Sequence, residues 1–504
     1  MDILSNIALG LGVAFQPENL LFCTLGVVIG TLIGVIPGIG PVGAMGLLLP
    51  ATMYVSPEAS IIMLAGIYYG AQYGGTITSV LVRIPGEATS IVTCIDGHEM
   101  ARNGRAGAAL GIAAWGSFIA GTVSVLVLML VAQPLASMAL RFGPPEYFAI
   151  ICIGLVLVTH LSQGSTLKAL MMAFVGFILG GVGLDLVTAL PRFTLGINEL
   201  SDGIGIVPVV MGLFGVAEVL ENLEGREPNV RTTETRVKNL WPTMADWARA
   251  KWPIVRGTVI GFFIGILPGG GGVLATFTSY AVERRISKHP EEFGKGAIEG
   301  VAGPETANNA AATGGLVPLL SLGLPTGPIM AMLFAALVIQ GVQPGPMFIS
   351  NHPQIFWGLV VSMYVGNLLL LILNLPLIGV WVQILKTPGW MLYQLIFLFC
   401  LIGAYSVNNS TFDVLVMLVF GGIGYLMRKF RYDAGPMVLA FVLGPILEQN
   451  LRQSLLISHG DFSIFVTRPI SGAILLLVLL ILISNVLPYL RARRRARGQF
   501  RGAE

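Results

Sequence analysis

Two glycine-rich breaks hold the chain's strongest chemical potential: Pro37-Gly38-Ile39-Gly40 and Pro268-Gly269-Gly270-Gly271-Gly272, each set in an apolar run. Proline and glycine end one helix and let another begin, which frees amide N–H groups at an N-terminus carrying roughly half an elementary charge. Glycine lets a ligand approach that backbone, so each break is a cradle for an anion such as a carboxylate, without a fixed cation. Carbonyls released on the opposing half-helices offer oxygen ligands to Na+. Polar side chains accompany both breaks. Thr306, Asn308, Asn309 and Thr313 precede a second interruption at Pro325-Thr326-Gly327; Tyr68, Tyr69, Gln72, Tyr73, Thr76, Thr78 and Ser79 precede one at Pro85-Gly86. Buried amides and hydroxyls cost free energy unless bonded, so such clusters have a purpose. They either glue helices together or line a binding site, and their place ahead of equivalent proline breaks favours the site.

Other motifs weigh less. Arg83 lies beside Ile84-Pro85-Gly86-Glu87. An arginine inside a membrane costs roughly 2.5–3.5 kcal/mol and so suggests a carboxylate partner, yet reaching the surface or pairing with Glu87 is the simpler expectation. The ladder Gly26/Gly30/Gly34 has GxxxG spacing, a close-packing device. Gly38 to Gly43 matches GxGxxG, but Pro41 falls in the turn and no strand–turn–helix unit surrounds it, so dinucleotide binding is rejected. His98-Glu99 lacks a second histidine, the five histidines are dispersed, and no nucleophile, base and acid form a set. No enzyme and no bound metal beyond a coupling Na+ is expected. Cys23, Cys94, Cys152 and Cys400 read as small buried hydrophobes.

The elements that position these residues follow from composition. Over 504 residues, 55% are hydrophobic and 11% charged, and mean hydropathy is +0.81. Such a chain cannot cover a soluble globule, so it is an all-α polytopic membrane protein within the lipid bilayer. A net charge of +3 gives no reason to expect nucleic acid. Charge-free stretches at 19–57, 59–82, 106–140, 306–385, 387–412 and 469–490 supply about ten to twelve passes. Residues 1–82 lack Lys and Arg, whereas Arg491-Ala492-Arg493-Arg494-Arg495, Arg428-Lys429 and the six basic residues of 226–251 are concentrated elsewhere. The positive-inside rule then places the N-terminus outside and the C-terminus in the cytoplasm. The N-terminus has neither a basic region nor a small-residue cleavage site, so no removable signal peptide is expected.

Residues 26–40 read GVVIGTLIGVIPGIG and residues 257–271 read GTVIGFFIGILPGGG, identical at nine of fifteen positions. Gly74-Gly75 before Pro85 and Gly314-Gly315 before Pro325 continue the echo in the same order. The first copy starts from the side lacking basic residues and the second from the basic linker, so two inverted-topology repeats are expected, each with a re-entrant hairpin and a proline-broken helix. The implied organisation is a first repeat at 1–222, a cytoplasmic linker at 223–253, a second repeat at 254–490 and a basic tail at 491–504.

With those pieces in hand, the chain resembles the large membrane subunit of the bacterial tripartite tricarboxylate transporters nearly end to end. The segments that carry the resemblance are GTLIGVIPGIGP (30–41), YGGTITSVLVRIPGEATSIVTCIDGHEMARNGRAG (73–107), GILPGGGG (265–272), GPETANNAAATGGLVPLLSLGLPTGP (303–328) and RYDAGPMVLAFVLGP (431–445). The resemblance implies a translocating subunit in the bacterial inner membrane, joined by a small membrane subunit and served by a periplasmic solute-binding protein. It implies uptake of a carboxylate such as citrate, coupled to Na+ or H+ with no cofactor, through an elevator-like motion. It also points to 37–40, 268–272, 305–313 and 325–328 as substrate and ion contacts. The competing readings are a stand-alone carboxylate symporter and, less favoured, a channel or scaffold.

Overall fold

A computed structural model describes residues 3–36, 40–161, 165–185, 188–224, 239–384 and 389–483. The Pro37-Gly38-Ile39 part of the first break, most of the linker and the basic tail lie outside the described residues.

Proline and small capping residues set the helix starts. In the first unit, α1 (Pro17–Val35) opens on Pro17, and α2 (Gly40–Thr52) begins at Gly40. Helix α3 (Pro57–Val82) opens on Pro57, with the Ser56 side chain accepting from the Ala59 amide at 3.3 Å. A single turn, Ala88–Ile91, leads to α4 (Thr93–Arg102) and the long α5 (Ala106–Ala139). The second unit runs α6 (Met244–Ile266), α7 (Gly271–Ile286), α8 (Glu299–Leu322) and α9 (Pro328–Ile339). Thr243 and Asp246 form a reciprocal capping box at the start of α6.

Among the described residues, six helices are long and apolar enough to cross a membrane: Pro17–Val35, Ala106–Ala139, Ile206–Glu224, Pro353–Asn374, Thr411–Lys429 and Ala434–Ile457. Seven apolar helices of 10–17 residues accompany them. Helices α3 and α8 belong to neither set. Both are rich in glycine and polar residues, and both are inside: every residue from Ala59 to Leu81 and from Glu299 to Ser321 is buried. Too polar for lipid, they are enclosed by apolar helices such as α5 and Pro353–Asn374. The described residues contain one strand pair, the two-residue Gly183–Leu184 and Pro191–Arg192, so the all-α reading holds.

The glycine ladders explain how these central helices are gripped. A Cβ on Gly26, Gly30 or Gly34 of α1 would overlap the carbonyl of Met63, Ile67 or Ala71 on α3. A Cβ on Gly257, Gly261 or Gly265 of α6 would overlap the carbonyl of Gly303, Ala307 or Ala311 on α8. Each first-unit contact has its second-unit counterpart at a constant offset along both helices. The endings match as well. Arg83 after α3 has φ 59°, and Gly323 after α8 has φ 72°, each two residues before a proline. The second helices of the two units differ: α7 packs back along α6 and α8, whereas α2 leans on α3, Gly389–Asn408 and the Ile206–Glu224 helix. Because the ladder contacts are backbone to backbone, Gly30→Leu or Gly261→Leu should cost at least about 1–3 kcal/mol by overpacking. Thermal unfolding in detergent measures this, with exposed Gly12→Leu, whose Cβ meets nothing, as the unaffected control.

Candidate substrate and ion site

The two buried helices meet along a polar seam. Glu305 sits well inside α8; its Oε2 accepts from Thr76 of α3 at 2.7 Å, and its Oε1 accepts from Thr93 of α4. Asn309, one turn on, donates to Ser117 of α5 at 2.7 Å and to the Glu305 carbonyl at 3.2 Å. Thr313 meets the Tyr69 hydroxyl at 3.1 Å. On the first-unit side, Pro85 ends α3 and the chain folds back, so that Ser79 and Ser90 lie 2.9 Å apart and Ser90 donates to the Glu87 carbonyl at 2.9 Å. That turn buries Glu87, whose Oε1 accepts from Thr89 and from Asn308 Nδ2 at 3.2 Å. Five of these bonds, Thr76–Glu305, Thr93–Glu305, Asn309–Ser117, Asn308–Glu87 and Tyr69–Thr313, join the first unit to the second.

The tip of the α6–α7 pair closes on the same region. Gly269 (φ 76°) donates its N–H to the Thr326 carbonyl at 2.8 Å, bringing the Pro268 break to the Pro325 break. Helix α7 starts at Gly271 (φ 50°) with no side-chain cap. Gly272 in its first turn lies against Thr89 and Asn308 Oδ1; a Cβ there would come within 2.8 Å of that oxygen. The positive end of α7 therefore abuts the side chains that hold Glu87.

The sequence-derived candidates divide accordingly. Thr76, Ser79, Asn308, Asn309, Thr313, Gly269 and Thr326 converge on the seam and its tip, with Pro268 and Gly270 beside them. Thr78 instead donates to the Val35 carbonyl at 2.7 Å, and Thr306 to carbonyls of its own helix, both serving the scaffold. Gly86 packs on the Gly34 carbonyl, so the Pro85-Gly86 break is docked against α1. A Cβ on Gly40, Gly271 or Gly327 would meet nothing, which leaves these backbones open to approach. Pro37, Gly38 and Ile39 lie outside the described residues. Of the two simpler expectations for Arg83, the structure takes the first: Arg83 is exposed, whereas Glu87 turns to Thr89 and Asn308, and among the described residues no ion pair joins the two.

Sequence reasoning did not single out Glu87, Thr89 or Thr93 as site residues, and reached Glu305 only as the first residue of the 305–313 segment to which the resemblance points. The missed signal was an ionisable residue within a helix that proves buried, which is functional by default. Glu305 had been treated as the edge of an apolar span. Helix α8 runs past it on both sides.

Charge elsewhere lies in paired clusters away from the seam. Arg256 holds the buried Glu283 at 2.5 Å, pinning α6 to α7. Arg249 bridges Glu299 at 2.8 Å and Glu292 at 2.6 Å, and its hydrogen bond holds the Glu292 carboxyl below the usual range. Asp96 of α4, fully buried, accepts at Oδ1 from the amides of Gly294, Gly296 and Ala297 at 2.8–2.9 Å. Its Oδ2 accepts from Tyr280 at 2.8 Å, so one carboxylate fastens the loop that leads into α8.

Known proteins resemble this sequence. Residues 20–439 match the Tripartite tricarboxylate transporter TctA family. A protein of Agrobacterium vitis named "Uncharacterized 52.8 kDa protein in TAR-I ttuC' 3'region" is 51% identical over 98% of each chain. A second from that organism, "Uncharacterized protein in TAR-II ttuC' 3'region", is 52% identical over 46% of this chain and 97% of its own. "Uncharacterized protein MJ1079" of Methanocaldococcus jannaschii is 24% identical over 41% of this chain and 49% of its own. No solved structure matches. With most of its length matched to the family, this multi-pass membrane chain belongs to the tripartite tricarboxylate transporter TctA family, whose members are transporters and not enzymes.

Proposed function

We propose that this chain is the translocating subunit of a secondary transporter that carries a carboxylate, of the tricarboxylate or a related organic-acid class, across the bacterial inner membrane. It works with a small membrane subunit and a periplasmic solute-binding protein, and the gradient of Na+ or H+ drives uptake. The N-terminus is periplasmic and the C-terminus cytoplasmic. The two units are inverted repeats, their glycine tips re-entrant, and access alternates by an elevator-type movement of one unit against its surroundings. The observation that carries this reading is the uncapped, glycine-lined N-terminus of α7 facing Asn308 and Thr89 where two wholly buried helices meet. An anion gains there from free amides and from a helix dipole in a region shielded from water.

The test is uptake into proteoliposomes holding the large and small subunits plus the binding protein, across a panel of organic acids with each ion gradient imposed separately. Saturable, gradient-driven uptake of a carboxylate is the expected result. Replacing Pro268-Gly269 by Ala-Ala should leave insertion intact and lower that uptake more than about tenfold, roughly 1.4 kcal/mol in binding terms. Transport at the wild-type rate would refute the site.

A further inference from the structure

Glu87 is buried, and the groups that reach it are neutral: a hydroxyl from Thr89 and an amide from Asn308. Among the described residues no Lys, Arg or His forms an ion pair with it. A carboxylate taken from water without a positive partner is uncompensated by several kcal/mol. The amide that serves it raises a second demand. Asn308 Oδ1 is buried with no hydrogen-bond partner, although the side chain is completely enclosed. Buried polar atoms in native proteins are nearly always satisfied, so this oxygen calls for a donor or a cation beside it.

Asn308 turns its amide nitrogen to Glu87; turned end for end, the amide would add its oxygen to the Glu87 carboxylate and the Thr89 hydroxyl, an all-oxygen donor set with one negative charge. Hard oxygens select a hard cation, and a single carboxylate is balanced by a single positive charge. A proton serves two oxygens at most; an ion serves the whole set. We infer that Glu87, Thr89 and Asn308 bind one Na+ and that this ion couples the gradient to the solute. The inference rests on the carboxylate-transport reading above.

The coupling follows from position. The same Thr89 and Asn308 lie against Gly272 at the positive end of α7. With Glu87 bare, its charge opposes an anion at that helix end. With Na+ in place the opposition is cancelled and the ion itself attracts the anion. Each ligand then raises the other's affinity by the same factor, as linkage requires. Glu305 lies one turn before Asn308 on α8, with its own hydroxyl partners, and stays outside the ion's donor set.

The direct test is binding of radioactive Na+ to the purified full-length chain, with thermal stability in NaCl against choline chloride at constant ionic strength. Wild type should bind Na+ saturably and be stabilised by it but not by choline. Glu87→Gln and Asn308→Ala should each weaken Na+ binding at least about tenfold. Glu99→Gln, which removes a carboxylate outside the site, should not. Thr89→Ala is the milder variant should either of the first two fail to fold. Wild-type binding that is absent, or unchanged in all three variants, overturns the Na+ site. Carboxylate uptake driven by protons alone overturns it and leaves the transport reading standing. Na+ binding lost in Glu87→Gln, in a wild type that carries no carboxylate under any gradient, supports the site and overturns the transport reading.

Discussion

Glu305→Ala should lower the initial rate of uptake by about a hundredfold or more, about 2.7 kcal/mol at 1.36 kcal/mol per tenfold. The carboxylate is the shared acceptor for Thr76 and Thr93, which come from different helices of the first unit. Removing it strands the Thr93 hydroxyl, at about 1–3 kcal/mol, leaves Thr76 only the Gln72 carbonyl at 3.2 Å, and unfastens α8 from α3 and α4 where the site is assembled. Glu305→Gln keeps an acceptor and the side-chain volume, so its rate should fall between the two. Initial uptake rates in proteoliposomes decide the matter, with thermal unfolding in detergent to verify that the variants remain folded. A Glu305→Ala protein that transports at the wild-type rate would remove this residue from the site.

The second large effect concerns stability. Asp96→Ala should cost the fold about 3–5 kcal/mol, because it leaves several donors without their acceptor at about 1–3 kcal/mol for each that is buried. The loss is concentrated because three backbone amides and the Tyr280 hydroxyl converge on one side chain. Those amides belong to Gly294, Gly296 and Ala297, with Gly294 at φ 83° and Gly296 at φ 107°, so the loop is shaped around its acceptor. Tyr280→Phe removes a single bond and should cost about 1 kcal/mol. The measurement is the midpoint of thermal or denaturant unfolding in detergent. Equal midpoints for wild type and Asp96→Ala would show that the loop is held by other means.

Much of this architecture was legible beforehand because its causes are local. Proline two residues after Arg83 and after Gly323 disfavours helix in the residue before it, and both helices do end in left-handed residues there, although Pro304 and Pro318 lie within α8. Glycine at four-residue spacing signals close packing, and the ladders at Gly26 and Gly257 show it. The partner helix of each ladder could not be read, because spacing names a face and not what lies opposite. The seam was harder for the same reason. Thr76 and Glu305 are 229 residues apart, and Asn308 and Glu87 are 221 apart. Nothing in the local pattern pairs them. Hydropathy also misdirects at such places: a glutamate reads as the end of a span, whereas Glu305 is a polar residue inside a helix that never touches lipid.

Water can stand in for the partners that bind the two units to each other. Parting apolar faces in this region would expose hydrocarbon at about 25 cal/mol per Å², with no compensation. Parting Tyr69 from Thr313 or Thr76 from Glu305 exchanges one hydrogen bond for another, a net loss of about 0.5–1.5 kcal/mol each. Where those bonds lie, the seam would be sealed while dry and easily wetted, so hydration would enter there at less cost than between apolar faces.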